Sequence, residues 1–342
     1  FWHNFYQLFK ITFILLLFQS NSYSKNYNLN DFDAKNFSRY FSGIIAFENK
    51  KNSDALKFFQ TSKILSKQHN PYLKRYVNTL VIEKKIQRAI NEIKKNENKK
   101  NSNFFEAYLI LTIDSIKKNN YEKANQYILK ASKLANQDRL QPVIIEVLKE
   151  LIYVFNNKKI LNKKKDYGNI SIISETFQRC FLNDQGTESF FLKIIDNNKG
   201  IDFSRYTFFY INYLIENERL KEAQIVSNKL NVLNTTLLLS QGKSWIERNQ
   251  YSNFTKIFTC KNTSHVTSEI LFLISNLYAS QDIFQQSNFY LNLSYFLNTN
   301  FLFNLSLLAE NHFLNGEYEK TKQILFKFNE EDEFYYWFRI KK

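Results

Sequence analysis

Residues 105–136 read FEAYLILTIDSIKKNNYEKANQYILKASKLAN, and this stretch decides the fold. Before Asn119-Asn120 the packing residues are Ala107, Tyr108 and Leu111; after it they are Tyr121, Ala124 and Ala131. Such spacing puts one apolar face on each of two helices of about 14 residues, with a turn between them. The frame recurs along the chain. Counting from Ala124, equivalent positions fall at Ala55, Ala89, Ala124, Ala223, Phe254, Ser287 and Thr321, at intervals of 34, 35, 99, 31, 33 and 34 residues. Gly43, Gly242 and Ala309 stand 12 residues before three of these, and Tyr251, Phe284 and Tyr318 stand 3 residues before. Small residues mark where helices cross closely, and large ones fill the gaps between. One helix pair cannot bury its own apolar face, whereas stacked pairs share a continuous core.

The pattern resembles the tetratricopeptide repeat family, whose period is about 34. That family has a large residue at position 4, Leu at 7, a small residue at 8, Tyr at 17 and Ala at 20 and 27. Tyr108, Leu111, Tyr121, Ala124 and Ala131 fall on those positions, with Thr112 where glycine is usual. The resemblance covers about residues 36–137 and 203–342. It implies an all-α fold: a tetratricopeptide-type right-handed α-solenoid of antiparallel helix pairs. The alternative is another α-solenoid. A Sel1-like array has a slightly longer period and more glycine, and a HEAT-like array has a period nearer 40–47.

Composition points the same way. Only 6 glycines and 2 prolines occur in 342 residues, too few for a turn-rich β protein and no hindrance to long helices. The formal charge is +15. The lysines are scattered, and the two densest groups, at 94–100 and 158–165, sit in asparagine-rich stretches that read as solvated connections. This argues against a nucleic-acid partner.

Residues 1–24 read as a secretory signal: Lys10, then an apolar run from Ile11 to Phe18, then Ser22 and Ser24. A membrane-spanning helix needs about 20 apolar residues, more than this segment offers. Membrane association is therefore expected only if the N-terminal segment stays uncleaved. The chain begins at Phe1 and ends at Lys342 within a helix expected at 333–342, so a longer reading frame is expected. Between Ala124 and Ala223 the frame lapses. A long helix is predicted at 141–156, a basic stretch at 157–169, and two short helices at 170–182 and 188–197. The domain division is then 1–24 signal, 25–160 N-terminal repeats, 161–202 irregular helical connection, and 203–342 C-terminal repeats. Asp202 or Ser204 is placed to cap the helix that opens the last part.

No catalytic constellation is legible. His3, His69, His265 and His312 form no i, i+4 pair, and there is no phosphate loop and no nucleophile elbow. No cofactor and no metal site are expected. Cys180 and Cys260 are too far apart for a CxxC motif. In an exported chain they read either as a disulfide or as two unrelated core thiols.

The family resemblance implies where a partner binds. The first helix of each pair lines a concave groove, with positions 2, 5, 9 and 12 pointing into it. Position 9 holds Asn78, Asn212, Lys243, Asn276 and Glu310; position 5 holds Lys74, Phe208 and Phe272. Asparagine donates and accepts at once, so it can pair with an extended backbone of any sequence. Lys74 with Asn78 resembles half of a carboxylate clamp, but the other repeats lack the matching basic residues. The expected function is an exported scaffold or adaptor, periplasmic or on the outer face of a membrane, that binds a protein or peptide and performs no catalysis. The alternative is the docking region of a longer enzyme, or of a secretion or envelope-assembly component, whose catalytic part lies beyond Lys342.

Overall fold

The computed structural model describes residues 34–328 apart from 68, 98, 136–138, 163–164, 197–203 and 231–235. The expected signal at 1–24, the helix expected at 333–342 and the capping role of Asp202 lie outside the described residues. Among the described residues there are 17 α-helices and no strand. The first six are α1 (Ala34–Glu48), α2 (Asn52–Thr61), α3 (Asn70–Ile82), α4 (Ile86–Lys95), α5 (Phe105–Lys117) and α6 (Tyr121–Ser132). The irregular middle contributes α7 (Gln141–Asn157), α8 (Asn169–Leu182) and α9 (Thr187–Ile195). Then come α10 (Ser204–Glu216), α11 (Leu220–Asn228), α12 (Leu237–Glu247) and α13 (Ser252–Ile257). The last four are α14 (Thr263–Ala279), α15 (Phe284–Leu297), α16 (Asn304–Leu314) and α17 (Tyr318–Leu325).

Local chemistry explains several helix boundaries. Pro71 and Pro142 sit in the first turns of α3 and α7, where a missing N–H costs no hydrogen bond. Asn120 and Asn262 cap α6 and α14 by accepting from backbone amides, Lys123 N at 3.1 Å and Ser264 N at 2.9 Å.

The turns repeat more strictly than the sequence does. Eight of the left-handed positions are Lys50, Lys84, Asn119, Asn183, Glu218, Asn249, Asp282 and Gly316; a ninth, Lys158, ends α7 without the bond that these share. In each of the eight the next residue's N–H donates to the carbonyl five positions back, at 2.7–3.0 Å, as in Lys51 to Ala46, Arg219 to Leu214 and Glu317 to His312. These are Schellman turns, which satisfy carbonyls left open at a helix end. Seven of them lie five residues before the seven anchor positions read from the sequence. The eighth, at Asn183, divides the 99-residue lapse into intervals of 64 and 35 residues.

Consecutive helices pack on one another along the chain, α14 on α15 and α5 on α6 most extensively. Ala55, Ala89, Ala124, Ala131 and Ala223 are fully buried at these crossings. A Cβ on Gly43 would come within 2.8 Å of the Phe59 ring. At Gly242 it would come within 3.0 Å of Phe208 and 3.2 Å of Phe254. Phe254 stands where alanine is usual, and Gly242 opposite it makes the room. One hydrophobic cluster runs from Tyr40 to Phe328.

The chain also returns on itself. The hairpin of α14 and α15 packs against α3, α5, α7 and α8. Asn292 Nδ2 donates to the carbonyls of both Val81 and Ile82, at 3.1 Å each. The Lys117 ammonium sits 3.7 Å from the centre of the Phe296 ring, and Thr263 Oγ1 donates to Asn119 at 3.2 Å. Farther along, Lys320 donates to the Lys50 carbonyl at 3.1 Å. Cys180, on α8, and Cys260, three residues before α14, form a disulfide with their Cα atoms 5.7 Å apart. The bridge fastens the start of the returning hairpin to the middle of the chain.

Candidate functional site

The return borders a cavity that stays open to solvent. This cavity, of about 740 Å³, lies between α3, the starts of α5 and α7, and the turn joining α14 to α15. One wall carries Lys74, Arg75 and Asn78 from α3; the facing wall carries Tyr278, Gln285, Gln286 and Phe289. Pro71, one turn before Arg75, shares the α3 wall. Pro71, Lys74 and Asn78 occupy positions 2, 5 and 9 of the repeat frame, one face of one helix.

The charges of the cavity are largely paired. Lys74 Nζ lies 3.2 Å from Glu106 Oε1, and Arg75 Nη1 lies 3.0 Å from Glu48 Oε1. Arg139 also lines the cavity and has no ion-pair partner among the described residues. The hydrogen bonding is incomplete. Asn78 Oδ1, Glu106 Oε2 and Gln141 Oε1 are shielded from solvent and have no hydrogen-bond partner among the described residues. All three residues line the cavity. A buried acceptor left unpaired costs about 1–3 kcal/mol.

The other residues of the expected groove do not join Lys74 and Asn78. Phe208 is fully buried and stacks on Phe254, with ring centres 5.0 Å apart. Asn212 is buried and donates to the Phe258 carbonyl at 2.9 Å. The expectation that these two face a partner is corrected: α11, α12 and α13 pack around α10 and take that face into the core. Lys243 reaches the Leu230 carbonyl at 3.3 Å. Phe272 lies under the Arg205 guanidinium, 3.8 Å from its ring centre. Asn276 and Glu310 are exposed on α14 and α16 and do not line the cavity.

No protein-family model matches this sequence, and no curated protein does. What the site can do is therefore read from its own geometry. Among the described residues, no group of three or more His, Cys, Asp or Glu side chains could hold a metal ion, and no helix is long and apolar enough to cross a membrane.

Several polar groups outside the cavity are tied to the framework. Arg205 Nε and Nη2 donate to the two Glu269 oxygens at 2.7 and 2.6 Å, and Nη2 also reaches Asn304 Oδ1 at 3.0 Å. This ion pair joins α10 to α14 inside the core. His265 is half-buried and accepts from the Thr259 amide at 3.1 Å; burial pulls its imidazole down to about 4. Burial pushes the Glu317 carboxyl up. Hydrogen bonds and charges from His312 and Lys320 together outweigh that and hold it at about 2.

Glu106 stands at position 2 of the repeat frame, but the sequence reading singled out only Lys74 and Asn78 of the residues that line the cavity. Nothing in the spacing flagged Gln141 or Arg139, which belong to the lapsed stretch. Nor could it flag Tyr278, Gln285, Gln286 and Phe289, which reach the cavity only because the chain folds back.

Proposed function

We propose that this chain is an exported, tetratricopeptide-type α-solenoid of antiparallel helix pairs that works as a scaffold or adaptor, without catalysis of its own. A protein segment binds at the inward face of α3. The observation that carries this reading is the cavity over Pro71, Lys74 and Asn78. It places three of the repeat frame's partner-facing positions around unfilled space with polar atoms still unpaired. The eight equivalent turns support the repeat architecture. The Cys180–Cys260 bridge supports an oxidising compartment, in keeping with the signal-like residues 1–24. The location proposed is periplasmic or on the outer face of a membrane.

Site-specific photo-cross-linking tests this in the organism's own envelope. A photoreactive residue at Asn78 is expected to give one discrete protein adduct, and the same residue at Asn276 or Glu310 none. The reading fails if Asn78 gives no adduct, or if all three positions give the same one.

A further inference from the structure

Three acceptors of the cavity over α3 find no donor among the described residues. Glu106 Oε2, Asn78 Oδ1 and Gln141 Oε1 are all unpaired. Gln141 is 7% exposed, and the Glu106 side chain 12%. Amide oxygens and nitrogens can exchange places by a flip, but a carboxylate oxygen only accepts. Two of the three basic residues of the lining are engaged elsewhere, Lys74 with Glu106 Oε1 and Arg75 with Glu48; the third, Arg139, is exposed and bonds none of the three acceptors. Phe47, Tyr278 and Phe289 supply aromatic walls to the same space, and aromatic faces attract cations.

We infer that the cavity takes a lysine or arginine side chain, presented by an extended segment of a partner protein. This rests on the reading of the cavity as the place where a partner binds. The ammonium or guanidinium donates to Glu106 Oε2 and to the amide oxygens of Asn78 and Gln141, and its carbon stem lies along the aromatic walls. An acidic side chain in the same place would leave all three acceptors unpaired. At these three atoms the complementarity runs toward a donor side chain, although the lining carries three basic residues against two acidic ones and the whole protein is itself basic. Arg139 at the lining favours a segment that also carries a carboxylate beside its basic residue.

The test uses the full chain and small probes: N-acetyl-arginine amide, N-acetyl-lysine amide and N-acetyl-glutamate amide, titrated by calorimetry or saturation-transfer NMR. The two basic probes are expected to bind and the glutamate probe not. Glu106→Gln is expected to weaken the basic probes about tenfold or more, the loss typical of one charge-assisted hydrogen bond. Gln141→Leu keeps every charge in place and is expected to weaken them by a smaller factor, with an unchanged melting curve. Preference for the glutamate probe, or undiminished binding by Glu106→Gln, overturns the inference. If no probe binds while the Asn78 cross-link persists, the basic side chain is discarded and the cavity keeps its role. If both are absent, the proposed function fails with it.

Discussion

Replacing Glu218 by glycine should make this protein more stable. Glu218 occupies the left-handed position of the turn between α10 and α11, with φ 60°. A Cβ in that conformation crowds the following carbonyl, at about 1–2 kcal/mol for an L-residue. Glycine avoids the crowding but gives up about 0.5–1 kcal/mol more chain entropy on folding. The side chain itself contributes little: it is exposed and makes no hydrogen bond or ion pair among the described residues. The Arg219 amide keeps its 2.9 Å bond to the Leu214 carbonyl in the variant, because that bond is backbone only. The balance is a gain of about 0.5–1 kcal/mol. Urea titration followed by circular dichroism measures it, with the slope of the transition unchanged. Two companion variants bracket the effect. Gly316→Ala reverses it in the same motif, at φ 74° and with nothing within 4 Å of the added Cβ; it should cost about 1 kcal/mol. Asn249→Gly should give no gain, because asparagine tolerates this conformation and its Oδ1 accepts from the Tyr251 hydroxyl at 3.0 Å. A loss of stability in Glu218→Gly, or a gain in Gly316→Ala, would refute the assignment of these turns.

Further predictions concern the return of the chain and its pH dependence. Reduction, or Cys180→Ser, should lower the unfolding free energy by about 4.5 kcal/mol in the loop-entropy model, for a bridge spanning 80 residues; urea midpoints with and without reductant measure this. Asn292→Leu should cost about 1–2 kcal/mol, since it removes the side-chain donor of the Ile82 carbonyl and one donor of Val81, whose carbonyl keeps the Lys84 amide at 3.0 Å. Hydrogen exchange should then rise in α15 and α3 together. The folded state holds the His265 imidazole below its unfolded range of about 6.5, at about 4. The unfolded chain therefore binds the extra proton between those values, and stability falls as pH drops from about 6.5 to about 4. His265→Gln should flatten that slope. By the same sign, Glu317, held at about 2, loses its contribution as pH falls from about 4.5 toward 2. Glu317→Gln should remove that acid-range slope in urea midpoints measured from pH 5 to 2.

The repeat anchors were legible because they report contacts within one helix pair. Ala55, Ala89, Ala124 and Ala223 are fully buried, as the need for close crossing requires. Phe254 breaks the pattern in sequence, yet it is accommodated because Gly242 faces it. The three helices of the lapsed stretch were also readable from apolar spacing. Their Schellman turn at Asn183 was not, since only one of the eight residues at these turns, Gly316, is a glycine. Asn212 shows where the frame misleads. Position 9 faces the cavity at Asn78 but enters the core at Asn212, because the helices around α10 close over it.

By itself the sequence determined the all-helical architecture, the period and the residues at each close crossing. Those depend on neighbours three, four or about 34 residues away, and side-chain spacing encodes them directly. Only the tertiary structure decided that α14 and α15 return to α3 and α5. It also decided that Cys180 meets Cys260, and that Lys74, Glu106, Gln141 and Phe289 share one cavity. Asn292 lies 211 residues from Val81. Where two such residues meet depends on small rotations between successive helices summed over the intervening chain, and no local pattern records that sum.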